Sequence, residues 1–210
     1  VTGAFITLEG GDGSGKSTQA GMLQAWLEGE GRTVVRTREP GGTELGVEIR
    51  RLVQHTEGHV APRAEALLYA ADRAHHVATL VRPALERGEV VLQDRYLDSS
   101  VAYQGAGREL DGGQIRDLSL WAADGLLPDL TILLDLDPAA GRERMAARED
   151  APYDRLEEAG EAFALRVRQA YLELAAAEPD RFAVVDASGS PADVHARVVS
   201  HVRAMLDADR

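Results

Sequence analysis

Residues 10–17 read Gly-Gly-Asp-Gly-Ser-Gly-Lys-Ser, a complete G-x-x-x-x-G-K-[ST] series, and Lys16 within it is the only lysine of the chain. The other 22 of the 23 Lys/Arg positions are arginine. A lone lysine among arginines fits a loop wrapped around phosphate oxygens, because an ammonium is a compact point charge and a guanidinium a broad fork. Gly10, Gly11, Gly13 and Gly15 remove Cβ obstruction, so successive N–H groups are expected to turn inward on a β-phosphate. Lys16 is expected to reach the β- and γ-oxygens of a bound nucleotide, and Ser17 to offer its hydroxyl to Mg²⁺. Asp12, Ser14 and Thr18 complete the expected ATP-binding stretch.

Such a loop works only between a strand and the N-terminal end of a helix. Ala4–Leu8 reads as a buried strand, and a helix is predicted from about Lys16 to Glu28 with Met22, Leu23, Trp26 and Leu27 as its apolar stripe. Further strands are predicted at Thr33–Arg36, Val90–Leu92, Leu130–Leu136 and Phe182–Val185. A long helical region over Ala61–Glu86, carrying Leu67, Leu68, Ala71 and Leu80, is expected to bend near Pro83. Pro191–Leu206 reads as a closing helix with Val194, Val198, Val202 and Leu206 inward. Five apolar runs at βαβ spacing point to an α/β fold of three layers, a five-stranded parallel sheet flanked by helices on both faces. Ligands of such sheets bind beyond the strand ends. Asp94, which closes the third strand beside Arg95, is therefore the first candidate to help Ser17 hold a metal, and Asp135 the second.

Composition narrows the possibilities. The 210 residues suffice for one large domain, and a net charge of −12 excludes general nucleic-acid binding, which needs a basic face. There is no cysteine, so neither disulfides nor cysteine–zinc sites arise. No apolar run approaches the roughly 18 residues that span a bilayer, so no membrane partner is expected and the expected location is the cytoplasm. The six histidines form no metal-ligand spacing, and His75-His76 reads as helix surface.

The phosphate loop alone fits kinases, GTPases, and motor or transport ATPases. A guanine-reading Asn-Lys-x-Asp segment is impossible when the one lysine sits at position 16. A single domain with many arginines beyond the loop suits transfer to a small phosphorylated acceptor, since two repelling anions must be bracketed by cations.

Longer motifs sharpen this. The chain carries Thr37-Arg38-Glu39-Pro40-Gly41-Gly42-Thr43, Leu68-Tyr69-Ala70-Ala71-Asp72-Arg73, Asp94-Arg95-Tyr96, Ser99-Ser100 with Ala102-Tyr103-Gln104-Gly105, Pro128-Asp129-Leu130-Thr131 and Asp154-Arg155-Leu156-Glu157. In content and order this series resembles the thymidylate kinases over nearly the whole chain. The resemblance implies a P-loop kinase fold, transfer of the ATP γ-phosphoryl group to dTMP with Mg²⁺, and a homodimer. It also implies that Arg38 and Arg95 hold the acceptor phosphate and that Arg73 meets the thymine carbonyl. Tyr103 would lie by the sugar and Asp12 at its 3′-hydroxyl.

Tyr69 stands one helical turn before Arg73, on the same face, so ring and fork are expected to embrace a flat base together. Ser100 and Gln104, at i, i+4, are expected to address the base edge if their segment is helical. The charged stretch 141–158 contains Arg142, Arg144, Arg148 and Arg155; a solvated helix end is its ordinary reading. In the resembling kinases it is a lid that closes over ATP. Because Gly13 and Ser14 stand where some members place an arginine, the lid is expected to supply that arginine: Arg148 first, then Arg155, then Arg144. Ala187-Ser188-Gly189 falls where adenine is met.

Overall fold

The computed structural model describes residues 3–56, 58–147 and 160–208. Its centre is a five-stranded all-parallel sheet of β1 (Ala4–Glu9), β2 (Val34–Arg38), β3 (Val90–Asp94), β4 (Leu130–Asp135) and β5 (Phe182–Asp186), in the order β2-β3-β1-β4-β5. The three central strands are apolar and buried along their length, whereas the edge strands β2 and β5 show partly exposed faces. Burial on both faces was expected of all five; it holds only where a strand has a neighbour on each side.

One layer is formed by α1 (Lys16–Gly29) and α9 (Pro191–Ala208), which pack together over the sheet. Leu23 and Leu27 of α1 meet Val194, Val198, Val202 and Leu206 of α9 in the largest core cluster. Met22 and Trp26 lie only partly inside, so the buried stripe of α1 runs through Ala20, Leu23 and Leu27.

The other layer holds α3 (Pro62–His76), α4 (Arg82–Glu86), α5 (Leu97–Ser100), α6 (Gly112–Ala122) and α8 (Glu161–Ala177). Helix α2 (Glu44–His55) packs on α3, and α7 (Pro138–Ala146) follows β4. Between α3 and α4 the chain takes a wider π turn over Val77–Val81. Pro83 has no N–H to donate one turn back, so the predicted bend is absorbed by loosened turns just before it.

The buried face of α3 departs from expectation. It carries Glu65, Ala66, Ala70, Asp72, Arg73 and His76, whereas Leu67 is 58% exposed and Ala71 faces out. Polar groups can line an interior when each finds a partner. His76, expected on the surface, is fully buried: Nδ1 lies 2.9 Å from Glu39 Oε1 and Nε2 2.7 Å from Thr37 Oγ1.

Candidate active site

The register of the sheet sets three strand ends side by side: Leu8 pairs with Asp94, and Asp94 with Arg38. The phosphate loop leaves β1 one residue beyond Leu8, so loop, carboxylate and guanidinium converge at one edge. α1 begins without a side-chain cap or an acidic residue in its first turn, its N-cap Gly15 being left-handed (φ 96). α2, α6 and α7 by contrast are capped by Thr43, Asp111 and Asp137. The N–H groups opening α1 thus meet no side-chain cap, and the helix end favours an anion.

Lys16 is 8% exposed and folds over the loop, donating to the carbonyls of Gly10 (3.0 Å) and Gly11 (2.9 Å). Burial, with the charge of Arg95 added, pushes its ammonium down to about 8. Ser17 donates to Asp94 Oδ2 at 3.2 Å. Hydroxyl and carboxylate side by side fit Mg²⁺, which takes one or two protein oxygens and fills its shell with phosphate and water. Asp135 does not compete, because Arg168 grips both its oxygens at 2.7 and 2.9 Å. Thr18 is exposed on the first turn of α1, next to Ser17.

A cavity of about 260 Å³ runs from Lys16 and Ser17 past Arg95 to Tyr69, Arg73, Ser100, Tyr103 and Gln104, with Arg38 and Met145 also on its wall. Arg95 occupies the middle. Its backbone is left-handed (φ 67), rare for a residue with a side chain and of the kind that clusters at functional sites. Nη2 donates to Tyr103 Oη at 3.0 Å and pairs with Asp12 Oδ1. Tyr103 also donates to Asp12 Oδ2 at 3.1 Å, and its ring centroid lies 4.7 Å beneath the guanidinium. Burial opposes ionisation of Asp12, but Arg95, Lys16 and Tyr103 outweigh it and hold the carboxyl below its ordinary range.

Arg73 is 1% exposed and donates to Glu39 Oε2 (3.0 Å), Ser119 Oγ (3.1 Å), the Tyr96 carbonyl (3.2 Å) and Ser100 Oγ (3.1 Å). Those bonds occupy four of its five N–H groups. Ser100 thus meets Arg73 directly. Gln104 donates Nε2 to Glu65 Oε1 at 2.9 Å. The segment following α5, Val101–Gly107, is a π turn rather than an α-helix, so Ser100 and Gln104 share the cavity wall at a wider pitch than i, i+4 stacking. Arg38 stands exposed at the mouth, its side chain without a hydrogen bond or ion pair among the described residues.

Of the lid arginines, Arg148 and Arg155 lie outside the described residues. Arg144 is committed elsewhere: it donates to the carbonyls of Ala187 (2.9 Å) and Ser188 (3.3 Å), binding α7 to the loop expected to meet adenine. Gly13 abuts the backbone of Gly141 so closely that a Cβ on either would collide with the other segment.

Four participants escaped sequence reasoning. Glu9 is fully buried beneath the loop, its Oε1 accepting from the Tyr96 N–H at 2.7 Å. Ser99 Oγ and Tyr171 Oη lie 2.6 and 2.7 Å from its Oε2 and 2.8 Å from each other. Glu39 ties Arg73 to His76. Ser99 stood in a quoted motif without a role. Tyr171 gave no signal at all, because an aromatic on the inner stripe of a long helix reads as core.

A sequence model of thymidylate kinase matches residues 8–198. The chain belongs to the thymidylate kinase family. It is 66% identical over 208 residues to the thymidylate kinase of Clavibacter michiganensis, covering 99% of this chain and 98% of that one. It is 70% identical over 196 residues to that of Leifsonia xyli, with 93% and 92% covered. The crystal structure of thymidylate kinase from Ehrlichia chaffeensis superposes with a TM-score of 0.78 at 31% identity, covering 96% of this chain and 99% of that chain. As a member of the family, the chain is an ATP-dependent kinase that phosphorylates dTMP to dTDP.

Proposed function

We propose that the two ends of the cavity divide the reaction, the phosphate loop holding ATP and the far wall holding dTMP, with Arg95 between them. The observation that carries this reading is the single continuous cavity joining Lys16 and Ser17 to Tyr69, Arg73 and Gln104 through Arg95. Arg38 and Arg95 bracket the acceptor phosphate, since guanidinium forks hydrogen-bond phosphate in pairs and keep its oxygen aligned for attack. Lys16, with the loop N–H groups and the open end of α1, neutralises charge on the transferred group. Ser17 and Asp94 hold Mg²⁺, which supplies further neutralisation of the phosphate oxygens when bound. An already ionised acceptor phosphate needs no general base, so positioning and charge carry the catalysis.

At the base end, the unused N–H of Arg73 suits a thymine carbonyl. Gln104, with its Nε2 turned to Glu65, keeps its carbonyl oxygen for the thymine N3–H. Tyr69 lies flat along the base, Ser100 supports Arg73, and Tyr103 with Asp12 packs at the sugar. A ring such as cytosine, which lacks the N3–H, leaves a polar atom unpaired and is rejected strongly. Loss of the methyl in dUMP is worth only about 1–3 kcal/mol. Arg148, or failing it Arg155, closes on the γ-phosphate from a lid over 141–158, and the chain acts as one kinase domain, 1–210, in the cytoplasm.

Adjacent helices support a homodimer. α3 packs between α2 and α6, and these present Leu45, Leu52, Leu67 and Trp121 outward, the last 80% exposed. No helix of the described residues is long and apolar enough to cross a membrane. An exposed apolar face of this kind suits a second copy. An ADP-release assay with ATP–Mg and each common nucleoside monophosphate tests the assignment. Turnover should be fastest with dTMP, then dUMP, and negligible with dCMP; dCMP turned over as fast as dTMP would refute the base-end reading.

A further inference from the structure

Beneath the acceptor site, Glu9, Ser99 and Tyr171 place three oxygens in a closed triangle with edges of 2.6, 2.7 and 2.8 Å. Each edge is short enough to need a hydrogen. An ionised Glu9 leaves only the two hydroxyl protons for three edges, and the third becomes an unfavourable contact between lone pairs. A neutral Glu9 supplies the missing proton and closes the ring: Oε2–H donates to Ser99 Oγ, Ser99 to Tyr171 Oη, and Tyr171 back to Oε2. Both hydroxyl oxygens then keep a lone pair for Arg95 Nη1, which shares its two N–H groups among them, at 3.3 and 3.4 Å, and the Gly10 carbonyl, at 3.2 Å.

We infer that Glu9 is a positioning residue that works as a neutral carboxylic acid, closing a three-oxygen ring that fixes the Arg95 fork for the acceptor phosphate. The surroundings agree. Glu9 lies on β1, and burial, with the charge of Asp98 added, pushes its carboxyl up to about 7 against the lowering effects of Ser99, Arg95 and Tyr171. From the segment after β3, Arg95 and Asp98 face it; from α8, Tyr171; from the loop, the charge of Lys16 reaches it. Asp98 is itself gripped by Arg181 at 2.7 and 2.9 Å. Ionising Glu9 does two things at once: it opens the ring under Arg95 and sets a negative charge behind the site that must receive a phosphate dianion.

The inference assigns Glu9 within the dTMP-phosphorylating pocket already described, and its test is a comparison of pH profiles. In the unmodified chain, kcat/KM for dTMP should fall about tenfold per pH unit above pH 7. The fall should shift upward in kcat, because bound phosphate favours the neutral acid. Glu9→Gln offers two N–H donors to Ser99 and Tyr171 at every pH. It should lose no more than about tenfold in kcat/KM at pH 6 and lack that limb, so the ratio of the two enzymes changes with pH. Titration of Lys16 and of dTMP itself cancels in that ratio. Glu9→Ala should raise KM for dTMP at least tenfold while KM for ATP moves less than twofold. The idea is overturned if Glu9→Gln keeps the wild-type limb, or is folded yet inactive at every pH. Unchanged KM for dTMP in Glu9→Ala would overturn it too. Should neither variant fold, pH-difference infrared spectra of the unmodified chain decide: a protonated-carboxyl band that fades near pH 7 supports the ring, and its absence at pH 6 overturns it.

Discussion

At the residue scale the site is a contest between burial and charge. Lys16 is a cation held out of water whose hydrogen bonds go to two carbonyls, and burial with the charge of Arg95 outweighs nearby Asp12 and Asp94 to lower its pKa. In the empty protein its folded pKa lies below the unfolded value, so this group makes stability rise between about pH 8 and 10.5. ATP reverses that by supplying the absent anion. Binding at pH 8.5 should therefore take up protons, seen as a calorimetric enthalpy that changes with the buffer's ionisation enthalpy; equal enthalpies in all buffers would contradict it. Lys16→Ala should lower kcat by about 100-fold or more, as removal of one preorganised donor to a developing charge does. Arg148→Ala should lower kcat far more than it raises KM for dTMP, as the transition-state contact proposed for it requires. If kcat is unchanged, the role passes to Arg155, since Arg144 is already spent on the carbonyls of Ala187 and Ser188. The residues proposed to touch ligands were legible because their types are chemically improbable elsewhere: one lysine, paired arginines, glycines in series. The residues that hold them were not, since Glu9, Glu39 and Tyr171 act through contacts 34 to 162 positions apart.

At the scale of elements, periodicity located all five strands and the first and last helices, because a sheet buried by two layers must be apolar. It misjudged α3, whose inward face is Glu65, Asp72, Arg73 and His76. A helix that walls a polar cavity turns its charges in and its leucines out, and apolar spacing alone cannot see that inversion. The same inward face steadies the Arg38 strand. His76→Ala removes the contacts to Thr37 and Glu39 and should cost about 1–3 kcal/mol of stability, read as a lower denaturation midpoint. It should also raise KM for dTMP; if KM stays fixed while stability falls, the network is structural alone.

At the scale of the whole molecule, the outward leucines of α2 and α3 and Trp121 of α6 form the surface proposed to be shared between copies. Trp121→Asp should convert the dimer to monomer in sedimentation velocity, and a dimer that survives would move the interface elsewhere. The arrangement of the two nearest glycines bears on the family's alternative chemistry. Gly13 has φ +76 and faces the backbone of Gly141, leaving no room for a side chain at either place. An arginine cannot simply be transplanted from the lid into position 13, because the first turn of α7 occupies the volume its Cβ would need. Evolution toward a self-contained loop would first have to push that helix aside, surrendering the grip of Arg144 on the stretch after β5. That filled volume bars an arginine at position 13, which favours the proposal that the last positive charge comes from outside the loop.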